Sequence, residues 1–276
     1  ASWTVMRVSC VCLMQQSSPT PAVPPIVIAM DCRFAGKDVG IGRYTRELAF
    51  RLPALLPDVH FVFFVRSKTE TWFAPLTTED VTILEAPFAP YSFGEQFSLP
   101  RLLHSCGAAL FFSPHFTVPY IQPVPTVITV HDLILHRFPN GASALKRSVY
   151  RFIFSRAART ARKIICVSHF TKKELLELEG VHLEEKAVVI PEAASSVFAP
   201  RNTAASAPVL EKFAITSPYF LYVGNAKEHK NLKLLFEAFA TLSEESPSLV
   251  LISSGKEAER LQLERLGEKV LGALLD

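Results

Sequence analysis

The chain has 276 residues, 49% of them hydrophobic, which suffices for one large domain or two ordinary domains. Its 29 basic and 26 acidic residues give a net charge of +3, short of the strongly basic balance expected of a nucleic-acid-binding protein. Its five cysteines form no C-x-x-C pair, which is typical of reduced thiols in a cytoplasmic protein. We therefore expect no nucleic-acid partner and no disulfides.

The first 25 residues differ in composition from the rest of the chain. Residues 8–14 are apolar, but the following stretch is rich in Ser and Pro. An apolar run of this length cannot span a bilayer, so residues 1–25 are predicted to be a disordered leader. A signal peptide, with Arg7 preceding the apolar run, is the alternative.

From Pro25 onward, short apolar runs alternate with amphipathic segments of helical length, as in parallel strands connected by helices. The predicted strands of a first domain, residues 26–190, are 26–30, 60–65, 81–84, 109–112, 124–130, 163–167 and 187–190. Helices are predicted over residues 42–56, 142–162 and 171–178. The predicted fold class is α/β.

Residues 191–217 contain Pro200 and Pro208 but no periodic apolar face, so they are predicted to form a linker. In the remaining residues, 218–276, strands are predicted at 219–223 and 249–253, with helices near 231–243 and 257–266. A doubly wound sheet needs several further strands. We therefore expect this second Rossmann-like domain to be incomplete and the chain to be truncated at Asp276.

Two segments of the first domain are candidates for a ligand site, because open α/β sheets bind ligands at the carboxyl ends of their strands. Gly40 and Gly42 follow the first strand, where glycine permits close approach of a ligand or positive φ. An ordinary tight turn is the alternative. His131 and Asp132 end the apolar run 124–130, where a buried histidine–aspartate pair is the structural alternative.

A third candidate segment is the turn that begins at Gly224 between a predicted strand and a predicted helix. Gly224, Asn225, Lys230 and Asn231 precede the helix, whose N-terminus attracts anions through its N–H groups and dipole. Lys227 and Lys230 add positive charge, so the pattern favours phosphate binding. A turn with two solvated lysines is the alternative.

These segments, in this order, resemble the family 4 glycosyltransferases over about residues 26–255. The motifs are Asp31-Cys32-Arg33-Phe34 with Gly40-Ile41-Gly42-Arg43-Tyr44, Thr129-Val130-His131-Asp132-Leu133, Cys166-Val167-Ser168-His169-Phe170-Thr171 with Val188-Val189-Ile190-Pro191, and the Gly224 turn. The residues of these motifs are similar to those of bacterial mannosyltransferase-like members of the family, which build polysaccharide or O-antigen chains. The resemblance implies a GT-B fold of two Rossmann-like domains and retaining transfer of a sugar from a nucleotide donor.

The resemblance also implies roles for individual residues. His131 would bind the donor sugar, with its backbone carbonyl facing the reaction centre, while Asp132 would orient the loop or the imidazole. Gly40 and Gly42 would lie near the donor phosphates and the acceptor, and Lys230 would stabilise the diphosphate. Asn225 stands where the family usually has arginine, and Glu192 where Asn-Gly is more frequent, so the role of Glu192 stays open.

Ser168, Thr171 and Glu174 are predicted to form a capping box at a helix start.

The expected donor is GDP-mannose or, next, a UDP-hexose, and the expected acceptor is a glycan or a lipid-linked glycan. No metal or other cofactor is expected. The basic residues 145–163 predict an amphipathic helix, which either carries a solvated basic face or contacts anionic lipid. The second possibility predicts a cytoplasmic protein at the inner face of the cell membrane.

Two other functions remain as alternatives. A Rossmann oxidoreductase would need a G-x-G-x-x-G turn and an acidic residue about 20 positions later, and neither is evident. A non-catalytic fragment or degenerate sugar-nucleotide-binding module would keep the fold but lack the second half of the donor site.

Overall fold

The computed structural model describes residues 25–36, 40–76, 79–137, 143–200, 203–215, 218–242, 247–252 and 264. Apart from Pro25, the predicted leader lies outside these residues, and so does the predicted helix 257–266 except for residue 264. The chain divides into two compact units between Glu192 and Ala193. Each unit has an α/β architecture, as predicted.

A parallel sheet of seven strands, in the order β3-β2-β1-β4-β5-β6-β7, forms the centre of the first unit. The strands are β1 Ile26–Asp31, β2 Val59–Val65, β3 Val81–Glu85, β4 Leu110–Ser113, β5 Thr126–Val130, β6 Lys163–Cys166 and β7 Ala187–Val189. All seven predicted strands are confirmed, with ends that differ by no more than two residues. The strand order changes direction between β1 and β4, which is where open α/β sheets bind ligands.

The helices of the first unit are α1 Gly40–Leu55, α2 Phe93–Ser105, α3 Ile134–Arg137, α4 Ala144–Thr160 and α5 His169–Glu179. The predictions of α1, α4 and α5 are confirmed, whereas α2 and α3 were missed. Gly94 and Pro100 are unfavourable inside helices, so α2 was not predicted. The sequence nevertheless contains a helix-start pattern at Ser92. Ser92 accepts a hydrogen bond from the Glu95 backbone N–H, which is the first half of a capping box.

Two apolar clusters cover the two faces of this sheet, and β2 contributes to both. Val62 and Phe64 belong to one cluster, whereas Phe61 and Phe63 belong to the other. Successive side chains of a strand point to opposite faces, so a strand buried on both faces is continuously apolar. This burial explains why the strands could be recognised from apolar runs alone.

The second unit contains strands β8 Tyr219–Val223 and β9 Ser248–Ile252, which pair in parallel, and helices α6 Thr203–Lys212 and α7 Leu232–Ala240. Both predicted strands and the predicted helix near residues 231–243 are confirmed. The prediction of residues 191–217 as a linker was wrong where α6 forms. Pro208 lies inside α6, but the surrounding alanines have the highest helix propensity.

Within the part of the chain that the structure describes, no helix combines the length and the apolar character needed to cross a membrane.

Candidate functional site

His131 lies directly after β5, at the carboxyl edge of the sheet. Its Nε2 atom is 2.8 Å from the carbonyl oxygen of Pro114, and its Nδ1 atom is 3.0 Å from Oε1 of Glu192. The edge of the imidazole meets the ring of Tyr44, with 4.8 Å between ring centroids. Pro114, Glu192 and Tyr44 thus fix the orientation of the ring. The His131 side chain is 14% exposed, so part of it remains accessible.

Asp132 is exposed, and its Oδ1 atom accepts a hydrogen bond from the backbone N–H of Ile134 at 3.1 Å. This bond stabilises the start of α3, so Asp132 orients the loop. The alternative of a buried histidine–aspartate pair is wrong, because the carboxylate that contacts the imidazole belongs to Glu192. Sequence reasoning noticed that Glu192 departs from the family pattern but did not find this contact, which spans 61 residues of chain.

The backbone carbonyl of His131 accepts a hydrogen bond from the Thr171 hydroxyl at 3.3 Å. Ser168 caps α5 by accepting the N–H of Thr171 at 3.0 Å, so the helix starts before Thr171. The predicted capping box with Glu174 is therefore wrong. Glu174 forms an ion pair with Arg137 of α3 instead.

A second histidine, His115, lies close to the first, with 6.3 Å between the centroids of the His115 and His131 rings. Its Nε2 atom is 3.0 Å from the Tyr91 hydroxyl. Burial, together with the nearby His131, lowers the pKa of His115 to about 4, although Asp31 opposes this shift. His115 is therefore neutral at pH 7.

A buried ionic cluster lies beneath these rings. The Arg33 guanidinium donates to both oxygens of Asp31, at 2.8 and 2.7 Å, and to Oε1 of Glu95 at 2.5 Å. Burial alone would lower the pKa of Arg33, but the two carboxylates raise it above its usual value. The second oxygen of Glu95 accepts the backbone N–H of Tyr91, whose φ is 64°. The cluster thus connects β1 to the Tyr91–His115 pair, and sequence reasoning missed the contribution of Glu95.

A cavity of about 420 Å³ opens beside His131. It is lined by Ile41, Tyr91, His115, Phe116, His131, Asp132, Leu135, Lys146, Arg147, Val149, Tyr150 and Ile153. Mostly apolar walls with a few convergent polar groups are typical of a small-molecule site. A larger cavity of about 850 Å³ lies at the amino ends of β5 and β6, so it is remote from the carboxyl edge where ligands of such sheets bind.

Gly40 and Gly42 lie in the first turn of α1, so the predicted loop is part of the helix. Neither glycine has positive φ. A Cβ atom added to Gly40 would meet no atom within 4 Å. Ile41, between the two glycines, lines the cavity described above, and the protein around Gly40 leaves room for a side chain.

Two hydrogen bonds hold the predicted phosphate-binding turn of the second unit. The N–H of Gly224 donates to the carbonyl of Ile252 at 2.9 Å. A Cβ atom at Gly224 would lie 2.6 Å from the Tyr222 hydroxyl oxygen, which donates to the carbonyl of Asn225 at 2.9 Å. A side chain at position 224 would therefore require the Tyr222 hydroxyl to move away from its present position.

Asn231 precedes α7 in the left-handed conformation, with φ of 48°, and its side chain makes no capping hydrogen bond. The N–H groups of the first turn of α7 are thus not capped by Asn231. Lys230 ends a 3₁₀ turn, Glu228–Lys230, and its side chain is exposed. Within the described residues, no hydrogen bond or ion pair engages the ammonium group of Lys230.

Helix α4 corresponds to the predicted basic amphipathic helix. Leu145, Val149 and Phe152 are exposed, whereas Phe154 and Ala158 face the core. Leu145, Val149 and Phe152 thus form an apolar row on the protein surface, on the same helix as the basic residues.

Among the described residues, no group of three His, Cys, Asp or Glu side chains could hold a metal ion. The expectation that no metal is needed stays a prediction.

Two family models match the chain: "Glycosyltransferase Family 4" over residues 39–194 and "Glycosyl transferases group 1" over residues 210–272. The chain is 27% identical over 143 residues to the O-antigen chain mannosyltransferase B of Escherichia coli, a match that covers 50% of this chain and 36% of that protein.

Two solved structures show the same fold, each aligned over 90% of this chain and 66% of its own. They are a glycosyltransferase from Rickettsia africae ESF-5, with a TM-score of 0.59 and 14% identity, and Anabaena Alr3699/HepE in complex with UDP-glucose, with a TM-score of 0.59 and 15% identity. The present chain thus spans about a third of the E. coli protein and two thirds of these structures. The fold is GT-B. Since the first family model matches more than half of the residues, the chain belongs to Glycosyltransferase Family 4.

Proposed function

We propose that the complete protein is a retaining glycosyltransferase that moves a hexosyl group from a nucleotide sugar to a glycan or lipid-linked acceptor. The observation that carries this proposal is the fixed imidazole of His131 beside an accessible cavity at the carboxyl edge of the sheet. Support also comes from the resemblance to an O-antigen mannosyltransferase and from the fold shared with a protein solved with UDP-glucose. GDP-mannose is the first donor to test, and UDP-glucose is the second.

In this mechanism, the bond between the sugar and the diphosphate breaks while negative charge grows on the diphosphate. Lys230 supplies a full positive charge, and the start of α7 supplies backbone N–H groups and the positive end of the helix dipole. His131 binds a hydroxyl group of the sugar, which replaces one of the two protein acceptors of the imidazole. No metal or other cofactor takes part in these steps.

The cavity beside His131 is the proposed acceptor site. Phe116, Tyr150 and Ile153 offer apolar surface to the non-sugar part of an acceptor. Lys146 and Arg147 line the same cavity and provide cations for a phosphate group that links glycan to lipid. This combination favours a lipid-linked acceptor over a free oligosaccharide.

The test of the function is a transfer assay with the complete protein. Labelled GDP-mannose or UDP-glucose is supplied with polyprenyl-diphosphate-linked glycans, and NMR of the product determines the anomeric configuration of the new bond. We expect transfer with retention from one donor. We also expect His131→Ala to lower turnover at least about tenfold, since at least one transition-state hydrogen bond is lost.

The matched control is His104→Ala, which removes an exposed histidine from the last turn of α2. Donor binding without transfer to any acceptor would favour the non-catalytic binding module. An inverted product would contradict the retaining mechanism.

The proposed peripheral contact with the inner face of the cytoplasmic membrane uses an exposed aromatic surface, which we call the aromatic rim. It comprises Phe93, Phe97, Tyr120, Ile121, Val149 and Phe152. A groove of about 260 Å³ between α2 and α4 is lined by four of these residues. Helix α4 contributes five basic residues and no acidic one, so its charge complements an anionic bilayer.

We expect the chain to bind vesicles of equal parts phosphatidylcholine and phosphatidylglycerol more strongly than vesicles of phosphatidylcholine alone. Phe93 and Phe152 are 87% and 62% exposed, so their insertion would remove large apolar surfaces from water. The double variant Phe93→Ser/Phe152→Ser should therefore lower the vesicle partition coefficient at least about tenfold, or about 1.4 kcal/mol. Cosedimentation measures this coefficient.

The control is Val181→Ser, which changes an apolar residue that is 80% exposed outside the aromatic rim. Equal binding to both kinds of vesicle, or an unchanged double variant, would count against the membrane contact.

A further inference from the structure

The two hydrogen bonds of the His131 ring determine its protonation. Nε2 faces the Pro114 carbonyl, which only accepts hydrogen bonds, so Nε2 carries a hydrogen. Nδ1 faces the Glu192 carboxylate, which also only accepts when ionised. The Glu192 side chain is 50% exposed, so this carboxylate is also in contact with solvent. A ring with hydrogens on both nitrogens, an imidazolium, donates to both of these acceptors at once.

We propose that Glu192 is a positioning residue that holds His131 in the doubly protonated state, so that a fixed positive charge stands beside the sugar donor. The proposal rests on the transferase function proposed above. A cation at this position stabilises negative charge on the departing diphosphate, and the geometry already exists before the donor arrives. Nδ1 remains protonated whichever partner Nε2 takes.

The groups around the His131 ring include two uncharged rings and two cations. His115 is uncharged, since burial and the charge of His131 lower its pKa to about 4. Tyr44 packs against the ring and stays neutral because burial raises its pKa. Lys146 and Arg147 line the same cavity, and their positive charges disfavour a cation on His131. The exposed Asp132 carboxylate accepts a hydrogen bond from the backbone N–H of Ile134.

Glu192 is thus, among the described residues, the carboxylate that bonds the His131 ring directly and offsets the repulsion from the neighbouring cations. The two histidines then differ in charge. His131 is positively charged and lies beside the donor, whereas His115 is neutral and is hydrogen-bonded to Tyr91. Such a division between neighbouring titratable groups is typical of catalytic sites.

The first test is two-bond ¹H–¹⁵N NMR of the chain labelled at histidine nitrogen, recorded at pH 7 and assigned with a His131→Gln variant. We expect wild-type His131 to have hydrogens on both ring nitrogens. In Glu192→Gln, the amide N–H of glutamine donates to Nδ1, so a neutral ring with a hydrogen on Nε2 alone should replace the imidazolium. The control Glu185→Gln removes an exposed carboxylate that lines the remote large cavity, and should leave the His131 signals unchanged.

The second test is the kinetics of Glu192→Gln in the complete protein. We expect kcat to fall about tenfold with little change in the donor KM, because the positive charge that stabilises the departing diphosphate is lost. A neutral His131 in the wild-type spectra, or an unchanged imidazolium in Glu192→Gln, would overturn the proposal even if transfer is active. If spectra agree but no donor supports transfer, the transferase function fails while the protonation of His131 stands.

Discussion

Replacing Arg33 with methionine should destabilise the first unit by about 3–5 kcal/mol, which is the usual effect of removing one partner from a buried ionic cluster. Asp31 and Glu95 would lose their cation in a site from which water is excluded, since both side chains are no more than 1% exposed, so each must either stay charged without a partner or take up a proton. The Glu95 contact with the backbone of Tyr91 would also weaken. Urea denaturation followed by far-ultraviolet circular dichroism measures the free energy of unfolding.

The control for this prediction is the triple variant Asp31→Asn/Arg33→Met/Glu95→Gln. It removes all three charges together, so it should recover part of the lost stability. A loss below about 1 kcal/mol in Arg33→Met would show that the two carboxylates reach water or other partners, contrary to the burial of the cluster.

Replacing Lys230 with alanine in the complete protein should lower turnover by at least about tenfold and by up to about a hundredfold. Asn225 can donate hydrogen bonds but carries no charge where the family usually has arginine, so in the proposed mechanism Lys230 stabilises more of the negative charge on the diphosphate. Because this charge grows as the bond breaks, kcat should fall more than donor affinity. Initial rates over a range of donor concentrations measure both quantities.

Lys233→Ala is the matched control. Lys233 lies in the first turn of α7 and pairs with Glu237 on the exposed face of that helix. Near-normal turnover of Lys230→Ala, or an equal loss in Lys233→Ala, would refute the assignment of the diphosphate charge to Lys230.

The positions of the strands along the chain were predictable because the strands of the first unit are buried on both faces. Phe61 and Phe63 belong to one apolar cluster while Val62 and Phe64 belong to the other, so β2 reads as an unbroken apolar run. The position of His131 followed from the same pattern, since it is the first residue beyond β5. Helix starts were less predictable. The cap of α5 is Ser168, although Thr171 offered an equally plausible pattern in the sequence.

The contacts of the candidate site were not predictable, because they join residues far apart in the chain. Glu192 reaches His131 across 61 residues, and Glu95 reaches Arg33 across 62. The exposed row of α4 illustrates the same limit. Leu145, Val149 and Phe152 have the spacing of a core-facing stripe, yet the helix is packed through Phe154 and Ala158.

The sequence by itself determined the α/β fold class, the family and the residues at the carboxyl edge of the sheet, because these depend on the period of apolar residues and on short motifs. The tertiary structure decided which charges meet: Glu192 with His131, and Asp31 and Glu95 with Arg33. Ion pairs and hydrogen bonds depend on distances of a few ångströms between side chains from different elements. Local sequence sets the elements, but their packing sets those distances.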